Sequence, residues 1–256
     1  QVTLLLKEHQ KLHASFEALL LISKAYIELD KPEAALSYIN NLLTMRPNDS
    51  YIHQLKGSAL GWSGDLVGAK LGYEQAFTLS PDNSQALIHL ARIDVYQNNI
   101  DDAIAKLTAQ NKKFGQNSAV WIELGDIHLS IKKINSAETM YLKALSVNPS
   151  SFLALTRLVS LYQKQKNINE AIKVTEGYLE NNKEKKEAYE VAGALYYKNK
   201  EANKAIIALT KAVKYNVNKE VGLLALAKLQ MRLGLLEMAK QNLIKALAWN
   251  IEFVPA

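Results

Sequence analysis

Residues 118–151 read SAVWIELGDIHLSIKKINSAETMYLKALSVNPSS, and the marked positions of this stretch return along the chain at a fixed step. Its Ala137 belongs to a column of seven alanines, Ala35, Ala69, Ala103, Ala137, Ala171, Ala205 and Ala239, spaced 34 residues apart without a slip. A unit of this length holds one pair of antiparallel helices but cannot bury its own apolar face. Each copy must therefore lean on the next, which predicts an all-α chain folded as an open α-solenoid.

Other columns keep the same step. Ser23, Gly57, Ala91, Gly125, Val159, Gly193 and Ala227 stand before the alanines, and six of the seven are small, as two closely approaching helices require. After them come Leu42, Ala76, Gln110, Ala144, Tyr178, Ala212 and Ala246. Pro47, Pro81, Gly115 and Pro149 then end a helix and turn the chain.

These residues resemble the tetratricopeptide repeat (TPR), whose pattern has a small residue at position 8, alanine at 20 and 27, and proline at 32. In that register the copies are 16–49, 50–83, 84–117, 118–151, 152–185, 186–219 and 220–253. Position 4 is matched by Leu19, Leu87, Trp121, Leu155, Tyr189 and Leu223, with His53 the exception. The resemblance implies a right-handed superhelix of stacked helix–turn–helix units.

Local chemistry fits such a unit. Polar or glycine breaks fall at Asp30-Lys31-Pro32, Ser63-Gly64-Asp65, Gln97-Asn98-Asn99, Lys132-Lys133, Lys166-Asn167, Asn199-Lys200 and Gly234. Asp101, Asn135, Asn169 and Asn203 are the expected N-caps of the second helices, Asn135 having capping-box spacing to Glu138. In copy four, Trp121, Leu124, Gly125 and His128 trace an amphipathic stripe. Carried backwards, the register makes Val2–Leu12 the second helix of a preceding copy, and residues 254–256 a tail. The expectation is one continuous array excised from a longer protein.

The chain has no cysteine, which excludes disulfides and thiolate metal sites. It has no apolar run long enough to span a bilayer. The net charge of +6 is concentrated in copies five and six, where 13 Lys or Arg face 7 Asp or Glu, including Lys183, Lys185, Lys186, Lys198, Lys200 and Lys204. Such a surplus is ordinarily a solvated face; it also offers an electrostatic patch for an acidic protein or polysaccharide. Regular aromatic interleaving of the kind that stacks bases is absent, so no specific nucleic acid is expected.

In the TPR family the partner lies in a concave groove lined by the first helix of each copy. Carried onto this chain, the resemblance selects Tyr51, Gln54, Trp62, Gln85, His89, Arg92, Tyr96, Glu123, Asp126, Arg157, Lys164, Tyr197, Lys198, Lys228 and Arg232. Mixed charges with aromatics suit an extended protein or peptide segment, and Tyr51, Trp62, Arg92 and Tyr96 form the favoured locus. The alternative for Trp62 and Tyr96 is that they cover the core between copies. Glu123 and Asp126 read as a solvent-facing carboxylate pair. The family's carboxylate clamp is missing, because its columns hold Leu20, Lys24, Leu55, Gln85 and His89.

Nothing in the sequence supports catalysis or a cofactor: there is no phosphate loop and no nucleophile elbow. His9 and His13 share a helical face but lack an evident third metal ligand. Copy five departs most from the pattern, with bulky Val159 and Tyr178 beside Gly177, and predicts altered helix spacing over 159–185. The function expected is a non-enzymatic binding scaffold. The leucine-rich copies also resemble TPR lipoproteins of bacterial exopolysaccharide and surface-protein sorting systems. That resemblance implies an envelope adaptor facing a polyanion or polysaccharide, and a structural spacer is the third reading.

Overall fold

The structure, a computed structural model, describes residues 15–216 and 219–251. Among them are α-helices and no strand. First helices of the copies are α1 (Phe16–Glu28), α3 (Ser50–Trp62), α5 (Ser84–Tyr96), α7 (Ser118–Ser130), α9 (Phe152–Lys164), α11 (Lys186–Lys198) and α13 (Lys219–Arg232). Second helices are α2 (Pro32–Met45), α4 (Leu66–Leu79), α6 (Ile100–Lys113), α8 (Ile134–Val147), α10 (Ile168–Asn181), α12 (Ala202–Tyr215) and α14 (Leu236–Ile251). The chain forms two compact units, Gln1–Lys133 and Ile134–Ala256, divided inside copy four. In each unit successive helices pack on one another, so every hairpin leans on the next. The segment Val2–Leu12 and the tail 254–256 lie outside the described residues.

The turn inside each copy is built the same way seven times. Asp30, Gly64, Asn98, Lys132, Lys166, Lys200 and Gly234, again 34 residues apart, all have φ between 55° and 87°. The next residue donates its N–H back to the carbonyl five positions earlier: Lys31 to Tyr26, Asp65 to Leu60, Asn99 to Asp94, Lys133 to His128, Asn167 to Tyr162, Glu201 to Tyr196 and Leu235 to Gln230, at 2.8–2.9 Å. This is a Schellman closure, which satisfies otherwise orphaned carbonyls through one left-handed residue.

That closure corrects the expected caps. The residue whose N–H closes the turn is itself the N-cap of the following helix: Asp65, Asn99, Asn167 and Glu201 precede α4, α6, α10 and α12. Asp101, Asn135, Asn169 and Asn203 consequently sit two residues too late, inside the first helical turn. Asp101 there still favours the positive helix end. A capping column unnoticed in the sequence serves the first helices instead. Ser15, Asp49, Asn83, Asn117 and Ser151 each accept backbone N–H bonds through their side chains, and the column fails at Lys185. The amides of Asn83 and Asn117 do a second task, donating to Ser50 Oγ at the start of α3 and to Ser84 Oγ at the start of α5, each at 3.0 Å.

The core follows the columns. All seven column alanines are buried, as is every member of the small-residue column. Leu19, Ala35, Ile39, Leu42, Ile52, Leu55 and Ala59 form one cluster drawn from α1, α2 and α3, which joins two copies. Burying a side chain such as Ile39 contributes roughly 1.5–3 kcal/mol. The helices α3 and α4 approach closely, and a Cβ on Gly72 would meet the Gly57 backbone at 2.8 Å. In copy five, Val159 and Tyr178 are buried despite their size. Tyr178 reaches the entrance of its own helix pair, donating its hydroxyl to the Ser150 carbonyl at 3.0 Å and tilting against Phe152 at the start of α9.

Candidate functional site

In the first unit the candidate residues belong to α3, α5 and α7. Asp49 caps α3 through the amides of Tyr51 and Ile52, which fixes Tyr51 at the start of the helix. Lys24 Nζ lies 4.9 Å from the Tyr51 ring centroid, a cation–π contact. Trp62 ends the same helix and Tyr96 ends α5, at equivalent positions of adjacent copies. Their exposures are 63% and 77%. Neither covers the core between copies, so the covering role weighed for them does not hold. Gln54 is half-buried and Gln85 exposed.

The centre of this face is electrostatically committed. Arg92 forks onto Glu123, Nε to Oε1 at 2.9 Å and a terminal nitrogen to Oε2 at 2.7 Å. Glu123 is buried, so it is not half of a solvent-facing carboxylate pair; Asp126 instead adds a second attraction toward Arg92. Burial of a carboxylate is tolerable only with such a partner. One turn before Arg92, His89 stacks on Tyr73 with ring centroids 4.6 Å apart and an interplanar angle of 9°. Burial first, and the Arg92 charge second, lower the His89 imidazole to about 4. It is therefore neutral at pH 7 and acts as an aromatic plate.

A second polar pair braces the same copy. Asp94, buried at the position where the family often has tyrosine, accepts from Lys106 Nζ at 2.7 Å. In the second unit, tyrosines at that position serve the same end. Tyr162 donates to Glu138 at 2.8 Å and Tyr196 to Glu176 at 2.5 Å. Burial and these carboxylates hold both phenols well above the ordinary range.

The second unit carries the remaining candidates on α9, α11 and α13. Arg157, Lys164, Lys198, Lys228 and Arg232 are exposed and Tyr197 is half-buried. Lys164, Lys198 and Arg232 recur in the last turns of α9, α11 and α13, where a cation complements the negative helix end. This gives them a structural reason beside any binding role. Of the basic stretch, Lys204 is tied to Glu201 at 2.5 Å and Lys186 lies 3.4 Å from Asn216 Oδ1.

A cleft of about 600 Å³ lies elsewhere in this unit, walled by α10 and α12 and floored by α11. Its lining includes Tyr189, Tyr196 and Tyr215. The sequence signal for it was the coincidence of these tyrosines with the basic stretch. Among the described residues no group of three or more His, Asp or Glu could hold a metal ion; His9 and His13 lie outside them. No described helix is long and apolar enough to cross a membrane.

Comparison with known proteins supplies the family. The tetratricopeptide-repeat profile matches residues 16–49 and 118–151. No curated protein matches the sequence. Among solved structures, a chain of the APC/C hetero-tetramer Cut9–Hcn1 is similar with 19% identity and a TM-score of 0.51, over 91% of this chain and 46% of that one. The chain thus spans about half of that relative's length. PilF of Pseudomonas aeruginosa is similar with 15% identity and a TM-score of 0.53, over 78% of this chain and 90% of that one. Identities this low speak for the fold alone, and they agree with the repeat match and with the recurring turns. The chain carries tetratricopeptide repeats at residues 16–49 and 118–151 and has the all-α solenoid fold of that repeat.

Proposed function

We propose that the protein is a non-enzymatic interaction scaffold whose first unit binds a segment of a partner protein across α3, α5 and α7. The observation that carries this reading is the exposure of Trp62 and Tyr96 at equivalent positions of adjacent copies. Two large aromatics on a face that needs neither for its core are suited to anchoring a partner, because burying each removes substantial apolar area from water. The Arg92–Glu123 fork between α5 and α7 supplies rigidity and hydrogen-bonding edges rather than a free charge. A segment held there would gain its affinity from aromatic burial and its register from the polar edges.

The test uses peptides selected from a displayed random library against the intact chain. Trp62→Ala and Tyr96→Ala each weaken a peptide bound on this face by roughly tenfold or more. Undiminished affinity in both variants refutes the assignment.

A further inference from the structure

The cleft lies in the second unit, walled by the second helices α10 and α12 over the first helix α11, and shares no residue with the candidate face of the first unit. Its volume falls within the range of sites that seat a ligand or an anchoring side chain. Leu179, Ala192 and Ala208 line it, and Ile207 stands beside them 57% exposed. The interior is apolar and holds a partly unclad aliphatic side chain.

The charges at the rim divide into used and unused. Glu176 accepts from the Tyr196 hydroxyl but keeps its negative charge, whereas Lys204 is ion-paired with Glu201. Lys183 and Lys211 have no carboxylate within ion-pair distance among the described residues; Lys211 only overhangs the Tyr189 ring at 5.5 Å. Across the lining Lys183, Lys204 and Lys211 face the carboxylates of Glu176 and Glu180, and Lys183 and Lys211 are the cations left without an ion pair. Tyr189 is stacked on Tyr215 at 5.8 Å as well as overhung by Lys211. It therefore offers no open platform for a sugar ring or a base. The wider stretch 152–219 repeats the same sign, with its surplus of six positive charges.

We propose that this cleft is a second docking site, for an acidic segment of a partner protein that inserts an aliphatic or aromatic side chain against Leu179 and Ile207 and sets a carboxylate against Lys183 and Lys211. The site is independent of the first-unit face and does not require it. Attraction at the rim orients the segment, and burial in the cleft holds it.

Peptides selected from a displayed library on the intact chain provide the probe, with affinities read by fluorescence polarisation. The expected enrichment is an apolar residue flanked by Asp or Glu. Ile207→Glu weakens such peptides by roughly tenfold or more, and Lys183→Glu or Lys211→Glu by roughly fivefold. Trp62→Ala and Tyr96→Ala leave them unchanged, which separates this site from the other. All three cleft positions are exposed, so the variants should keep the parent's circular dichroism and unfolding midpoint. Enrichment of basic or uncharged sequences, no enrichment, or affinities indifferent to the three cleft variants overturns the proposal.

Discussion

Acidification destabilises the first unit through His89. In the folded chain its imidazole titrates near 4, whereas the unfolded side chain titrates near 6.5. Between those values the unfolded state binds more protons, so stability is complete above about pH 6.5 and is lost as pH falls toward 4. Linkage gives a loss of about 2 kcal/mol at pH 5, rising to a limit of about 3 kcal/mol below both values. The ring is not fully enclosed, so solvent screening makes these upper figures. His89→Phe keeps the plate stacked on Tyr73 and removes the titration. Urea denaturation at pH 7.5 and pH 5.0, on the parent and on His89→Phe, isolates the effect. His128, also lowered by burial, is common to both proteins and cancels. The parent should lose about 2 kcal/mol more than the variant. Equal losses, or an NMR titration that finds His89 protonating near 6.5, refute the reasoning.

Three further outcomes follow from local geometry. Lys132, Lys166 and Lys200 hold φ of 60–63°, where a β-carbon is strained; Lys→Gly at any one of them should stabilise the chain by about 0.5–1 kcal/mol in thermal unfolding. Gly177 and Gly72 should respond to alanine with opposite signs. A Cβ at Gly177 meets nothing within 4 Å and improves helix propensity by about 1 kcal/mol, whereas one at Gly72 strikes the Gly57 backbone and costs roughly 1–3 kcal/mol. Arg92→Met strands the buried Glu123 carboxylate, and urea unfolding should record a loss of about 1–3 kcal/mol that Glu123→Gln in the same chain partly restores.

Most of the fold was legible because burial between copies is repetitive. Ala35 and its equivalents face a neighbour at every step, so the constraint surfaces as a column in the sequence. The turns were legible in place but not in geometry. Lysine at 132, 166 and 200 gives no hint of a left-handed backbone, which glycine at 64 and 234 does. The first-helix caps escaped notice because Ser, Asp and Asn are chemically equivalent there, and a column of three residue types does not look like one. At the candidate site, position alone found Trp62 and Tyr96. It could not find the Arg92–Glu123 fork, whose partners lie 31 residues apart on different copies. The cleft of the second unit left only a trace in the sequence, tyrosines falling within the basic stretch, for a similar reason. Its walls come from α10 and α12, and its width depends on how those two helices pack over α11.

Site-specific photo-crosslinking measures directly whether the face of Trp62 and Tyr96 receives a partner. Benzoylphenylalanine is placed at position 62, at position 96, and at the equally exposed Val67 on α4 as a control. The expected result is that positions 62 and 96 capture the same partner segment and position 67 does not. Capture from position 67 alone, or different partners from 62 and 96, contradicts a shared binding face.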